Sequence, residues 1–346
     1  MDASAQPLAR LRNLGLSPMG FRRLAIANAA MLVVIVATGA TVRLTASGLG
    51  CHHWPGCQPG EVLPAKGFHS YIEFSNRLIA FVTILVTLAT WLFASRRRQF
   101  AFAIVVGLLL QAPVAALTYK HGPTIWLIAL HALLAVGVLS LGVIVWRAAD
   151  IVERLAIAVF AGTVAQAPLG ALTVHYGLNP WLVLSHFLLS AVVLTLGVGL
   201  ALETVPRTRS QLPWWVPRVG LLVALSGAVL LFSGTLATAA GPHPGSTVVR
   251  RLWSFQPAIY WHVRATAVFG IAFAILLVWL LRNRAPQVRG ALVLLGLLAV
   301  QMVIGEVQYR TQLPWWLVLV HVTMAVTVWA ALTAFVFSLW RPRRMA

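Results

Sequence analysis

Three times along the chain, a glutamine on an apolar stretch is followed 20 residues later by a histidine on the next apolar stretch: Gln111 and His131, Gln166 and His186, Gln301 and His321. A short turn with Pro or Gly lies between them. The first two copies read Gln-Ala-Pro through Ala-Leu-Thr into a Trp-Leu step, and the third keeps the Gln, Trp-Trp-Leu-Val-Leu-Val and the His. An ionisable ring in hydrocarbon needs a partner. One that recurs at a common depth of a bundle points to a ligand, for which haem iron is the natural candidate. For any single histidine the alternative is a hydrogen bond to a neighbouring helix.

Other residues could join that chemistry. His262 falls at the same depth as His131, His186 and His321, roughly 8–11 Å inside the outer end of its helix at 1.5 Å per residue. In the second half of the chain only His262 and His321 share that layer, which suits an iron held between two imidazoles. His121, His175 and His243 lie in or beside loops and read as surface or interfacial. His69, Glu73 and Asn76 recur at helical spacing, with Arg77 one turn beyond Glu73. Glu73 is either a partner for Arg77 or a carboxylate that moves protons beside a bound substrate, and Glu306 reads as a partner for Arg310 at i+4. Arg43, Arg77, Arg264 and the pair Arg250-Arg251 sit near the histidine layer, where guanidinium groups either bind anionic haem propionates or snorkel at the interface. Cys51 and Cys57 enclose His52, His53, Trp54, Pro55 and Gly56. In an oxidising compartment such a pair reads as a disulfide, with redox or metal-transfer chemistry as the alternative.

The elements that must position these groups are membrane helices. With 346 residues, 60% hydrophobic and 10% charged, the chain holds more apolar surface than a water-soluble core absorbs. Ten stretches reach or approach the ~20 residues that cross a bilayer: roughly 24–44, 70–94, 100–119, 124–146, 153–174, 181–203, 219–240, 257–281, 289–308 and 314–340. Arginine clusters such as Arg22-Arg23, Arg96 to Arg98, Arg147 with Arg154, Arg282 with Arg284, and Arg341 to Arg344 then share one side, so the charge rule puts both termini in the cytoplasm and the cysteine loop outside. The net charge of +19 orients the chain and attracts anionic lipid. The arginines are too dispersed for a nucleic-acid surface. No cleavable signal stands out, so span 1 is expected to remain as an anchor.

A weaker echo pairs Thr38-Gly39-Ala40 with Ser233-Gly234-Thr235, so spans 1–2 correspond to spans 7–8, while spans 3–4, 5–6 and 9–10 are the repeated pairs. The repeat unit is therefore a four-helix bundle, and two bundles leave one pair over, either 3–4 or 5–6. The expected organisation is an all-α polytopic bundle: a tail at 1–23, a first unit with the additional pair at 24–203, a Pro-containing linker at 204–218, a second bundle at 219–340 and a tail at 341–346. Units of one orientation argue against an alternating-access transporter, in which inverted repeats are typical.

The run from Gly39 through Arg43, Gly48 and Cys51, then Trp54-Pro55-Gly56-Cys57, then His69 through Ile72-Glu73-Phe74-Ser75-Asn76-Arg77-Leu78, resembles haem A synthase of the bacterial type. Leu178-Asn179-Pro180-Trp181 through His186, and Gly241-Pro242-His243-Pro244-Gly245, are similar to it as well. The resemblance implies two homologous bundles, a haem B cofactor held by His262 and His321 in the second, and the substrate haem O in the first. It implies Glu73 as the catalytic carboxylate, Cys51 with Cys57 as the outer-loop pair, and oxidation of a porphyrin methyl group to a formyl group for terminal oxidase assembly. On the substrate side stand His186, preferred over His131 for its Leu-Asn-Pro-Trp lead, with Asn76, His69 and Arg77. Many members carry His where Asn76 stands, lack two of the ten spans, and some have a cysteine pair in the second outer loop. Haem O synthase and an electron donor are the expected partners, in a cell membrane, and a homo-oligomer is compatible with the sequence. The alternative is a haem-binding electron carrier or haem-handling protein without catalysis.

Overall fold

A computed structural model describes residues 16–51, 56–58, 61, 63–64, 67–122, 124–205, 212–246 and 251–340. Among them are ten helices: α1 Pro18–Leu44, α2 Phe68–Ala94, α3 Arg98–His121, α4 Ile125–Ala148, α5 Ile151–His175, α6 Pro180–Glu203, α7 Trp215–Ala240, α8 Phe255–Arg282, α9 Val288–Arg310 and α10 Trp315–Trp340. All ten are long and apolar enough to cross a membrane, and the chain is a multi-pass helical membrane protein. Most ends lie within a few residues of the hydropathy expectation. The largest departure is α1, which begins six residues before the expected 24. There Ser17 accepts a hydrogen bond from the Gly20 N–H at 3.0 Å and Pro18 opens the helix, a capped start that hydropathy does not register.

Helices α1, α2, α5 and α6 pack as a closed ring, and α7, α8, α9 and α10 form a second one in which α8 meets α9 over little of its length. The two rings join through α1, α6, α7 and α10. Small residues allow the close approaches that drive helix association in lipid: Gly162 faces Val193, Gly197 faces Leu32 and Gly227 faces Leu332. The Trp329 indole N–H on α10 donates to Thr195 Oγ1 at 2.9 Å on α6, tying one ring to the other.

Helices α3 and α4 are the additional pair. They pack on each other and touch the first ring mainly through α2. Their roots at Ala101, Ile104 and Val145 enter an apolar cluster with Trp91, Phe160 and Leu200. The insertion closes at its base, because Ser95 donates to Glu153 at 2.7 Å and Arg96 pairs with Asp150.

Each ring is solid at one end and hollow at the other. At the arginine-rich end, Phe269, Phe273, Leu276, Leu280, Leu294, Phe335 and Leu339 fill the second ring, as Phe21, Trp91, Phe160 and Leu200 fill the first. At the end that carries the cysteine loop the helices diverge around a cavity.

Candidate functional site

The cavity measures about 1650 Å³ and draws its walls from both rings. A single small-molecule pocket is usually about 300–1,000 Å³, so this one has room for more than one large ligand. His186, His262 and His321 line it, together with Glu73, Asn76, Arg77 and Arg43. His131, His186 and His321 each stand six residues in from the first residue of their helix, Ile125, Pro180 and Trp315.

His186 and His321 are held by the same local device. Gln166 and Gln301 donate from Nε2 to the backbone carbonyls of His186 at 3.2 Å and His321 at 3.1 Å. One turn beyond each glutamine stands a glycine. A Cβ on Gly305 would lie 3.1 Å from Cε1 of His321, and one on Gly170 would lie 3.7 Å from Cε1 of His186. On the other helices, Ser233 Oγ lies 3.1 Å from His262 Nδ1 and also donates to the Leu230 carbonyl at 2.8 Å. With its one proton used there, Ser233 accepts from Nδ1–H, which leaves Nε2 as the bare nitrogen a metal requires. Gly234 flanks that ring, its Cβ position 3.1 Å from Cε1.

Position 76 repeats the pattern with a different side chain. Thr38 takes the place of Ser233; its Oγ1 lies 2.8 Å from Asn76 Oδ1 and 3.1 Å from the Ile35 carbonyl, so its one proton goes to the nearer amide oxygen, and the nearest neighbour of a Cβ on Gly39 is Asn76 Oδ1 at 4.0 Å. The three imidazoles and one amide thus occupy equivalent places, two per ring.

These positions fit a porphyrin. His186 Nδ1 and His321 Nδ1 are buried without a hydrogen-bond partner, as are Gln166 Oε1 and Gln301 Oε1, while His321 Nε2 lies 3.2 Å from Gln301 Nε2. Buried polar atoms are ordinarily satisfied, and rings left so on a cavity wall are suited to a ligand. His131 is different. Its Nδ1 pairs with Gln111 Oε1 at 2.6 Å and its Nε2 lies 3.5 Å from Thr118 Oγ1. Ala115 stands where the other copies have Gly170 and Gly305. His131 does not line the cavity, because its helix pair lies outside both rings.

Glu73 is 4% exposed. Its Oε2 accepts from the Cys51 backbone N–H at 2.8 Å, and its Oε1 accepts from Arg77, whose other terminal nitrogen donates to the Gly56 carbonyl. The carboxylate therefore anchors the turn closed by the Cys51–Cys57 disulfide, with Cα atoms 4.4 Å apart, while still lining the cavity. His52 and His53, the extra ligands of the metal alternative, lie outside the described residues.

Three expectations about individual residues change. His69 does not reach the cavity: it is exposed at the start of α2, with Nδ1 2.9 Å from Ser47 Oγ, because the loop at Gly50 wraps the first turn of that helix. Arg264 is exposed and stacks on Tyr260 with its guanidinium carbon 3.1 Å from the ring centre. It faces outward, away from any propionate. His243, read as a surface residue, turns inward. Its Nε2 bonds to the Leu313 carbonyl at 2.8 Å, and its own carbonyl accepts from Arg43 Nε at 3.1 Å. Arg43 also donates to the Thr238 carbonyl at 3.0 Å. Of the paired arginines, Arg251 lines a smaller pocket of about 450 Å³ with Gln256, Tyr309 and Gln312, and Arg250 lies outside the described residues. Glu306 pairs with Arg310 on an exposed face.

The loop motifs singled out in the sequence meet in space. The Gly48 N–H donates to the Gly245 carbonyl at 3.1 Å, and a Cβ on Gly48 would lie 2.8 Å from a methyl of Leu178. A side chain there would force the Leu178 methyl to move. Gly245 has φ +106, a conformation that also favours glycine. The three loops that follow α1, α5 and α7 thus meet at the cavity wall.

Residues 22–69 match the family model described as cytochrome oxidase assembly protein. The chain is 35% identical over 114 residues to the Heme A synthase of Bacillus licheniformis, covering 31% of this chain and 37% of that protein. It is 31% identical over 119 residues to the Heme A synthase of Bacillus pumilus, covering 32% and 38% respectively. A Thermus thermophilus protein named Protoheme IX farnesyltransferase shares 44% identity over 66 residues, 18% of this chain and 11% of that one. The aligned part thus spans under two fifths of each relative's length. Together these likenesses support the haem A synthase family.

Proposed function

We propose that the protein is a haem A synthase of the cell membrane, with haem B in the second ring and the substrate haem O in the first. The observation that carries the reading is the set of equivalent positions around one cavity, His262 with His321 and His186 with Asn76, under loops whose motifs are those of the family. Haem B, when bound, supplies electron transfer. The protein's own part is to present bare imidazole nitrogens from rigid helices, to exclude water with the interlocked loops, and to hold charge. Arg43 and Arg77, on the cavity wall, suit the anionic propionates. Glu73 is the proton-handling carboxylate, placed on that wall and poised by Arg77 and the Cys51 N–H.

The substrate's methyl group is hydroxylated twice, each step consuming one dioxygen, two electrons from the donor and two protons and releasing one water, and the geminal diol loses water to leave the formyl group. Haem O synthase supplies the substrate and a separate donor supplies electrons. Both termini lie in the cytoplasm, and the product serves terminal oxidase assembly.

Expression with a source of haem O, followed by mass spectrometry of the extracted haems, tests the reading. Haem A should accumulate. Haem O alone, with folded and haem-loaded protein, would defeat it. Glu73→Gln should retain the cofactor spectrum and lose conversion, and loss of the spectrum would make the carboxylate a purely structural anchor.

A further inference from the structure

The two rings place a hydroxyl, a glycine and a glutamine at matching positions around their cavities and differ most at position 76. Thr38 Oγ1 donates to Asn76 where Ser233 Oγ accepts from His262. Gly39 flanks the one as Gly234 flanks the other. Opposite them, His186 and His321 have matching glutamine and glycine supports. Among the described residues the histidines on the cavity wall are His186, His243, His262 and His321, and His243 stands in the loop that follows α7, a helix of the second ring, with its Nε2 bonded to the Leu313 carbonyl. The first ring therefore offers one imidazole where the second offers two.

An amide does not replace the missing imidazole. Its nitrogen has no available lone pair, and its oxygen is a weak ligand that already accepts from Thr38. With Oδ1 so held, the NH2 group is what Asn76 has left to direct at the cavity, and it is a hydrogen-bond donor.

Resting on the reading of the first ring as a porphyrin site, we propose that His186 is the sole protein ligand to the iron there, and that Asn76 is a donor for a small exogenous iron ligand, a diatomic molecule or small anion, on the opposite face. Residue 76 then decides which of two otherwise matched sites stays open to an outside ligand and which is closed by protein on both sides.

The full-length protein loaded with haem O and haem B tests this by visible and EPR spectroscopy, with cyanide added to the ferric form and carbon monoxide to the ferrous form. The expected result is one low-spin centre that ignores both probes and one high-spin centre that binds them. His186→Ala should remove the responsive centre and spare the other. Asn76→His should turn the responsive centre low-spin and silence it. Asn76→Ala should leave it open but weaken cyanide roughly ten-fold, the effect of one hydrogen bond to a charged partner. Two low-spin centres in the unsubstituted protein, neither responding, would overturn the proposal while leaving the porphyrin reading intact. A spectrum unchanged by His186→Ala would overturn the porphyrin reading of the first ring itself. Should Asn76→His fail to fold, the cyanide affinity of Asn76→Ala decides, and an unaltered affinity removes Asn76 from the role.

Discussion

The hairpin α5–α6 and the hairpin α3–α4 begin from nearly the same sequence and end in different environments. Both carry Gln-Ala-Pro, both place histidine 20 residues on, and in both the glutamine amide donates to the histidine carbonyl, at 3.2 Å for Gln166 and 3.4 Å for Gln111. In α5–α6 the imidazole Nδ1 is buried without a partner on the wall of a cavity. In α3–α4 the ring is satisfied within its own hairpin by Gln111. A repeated motif brings its imidazole to the cavity only where a second hairpin faces it. Helices α1 and α2 do this for His186, α7 and α8 do it for His321, and among the described elements no hairpin does it for His131.

Substitutions sharpen that contrast. The largest effects belong to the rings: His262→Ala or His321→Ala should remove the low-spin haem signal and all conversion, read by visible and EPR spectra of the purified protein. His186→Ala should abolish conversion equally while the low-spin signal persists. Either signal surviving its own substitution would break the comparison. Smaller effects separate the glycines. Gly305→Ala and Gly234→Ala place a Cβ 3.1 Å from a ligand ring, so the ring must give way, and the haem spectrum should shift with reduced occupancy. Gly170→Ala meets His186 at 3.7 Å, ordinary contact, and should be silent. Opposite ranking of these glycines would show that the rings are not seated as described. Joint replacement of Cys51 and Cys57 by Ser should lower stability by about 2 kcal/mol on chain-entropy grounds, seen as a lower thermal midpoint. Smallest of all is His131→Ala, which loses a membrane hydrogen bond worth about 0.6 kcal/mol and should leave spectrum and turnover unchanged.

The same contrast shows where sequence reasoning reached its limit. Hydropathy located the ten helices, and the Gln–His spacing found all three hairpins, because both depend on neighbours along the chain. Hydropathy left open which of the pairs 3–4 and 5–6 is the addition, since both are apolar enough to span. One sequence signal does separate them: Ala115 in α3 stands where Gly170 and Gly305 make room for a ring. His243 looked peripheral because it lies in a loop. Its inward turn depends on Leu313, 70 residues away, and Arg43, 200 residues away. Arg264 looked central because of its depth, yet the rotation of α8 sends it outward over Tyr260.

By itself the sequence determined what local chemistry can determine: membrane-spanning helices from apolar runs, their count and approximate extent, a paired-cysteine loop, and imidazoles at a shared depth. Tertiary structure decided which hairpins face one another, and hence which imidazoles meet a common cavity and which lies away from it with both ring nitrogens engaged inside its own hairpin. The physical reason is that depth along a helix follows from the rise per residue, whereas the direction a side chain faces, and what lies across from it, follow from packing between segments far apart in the chain.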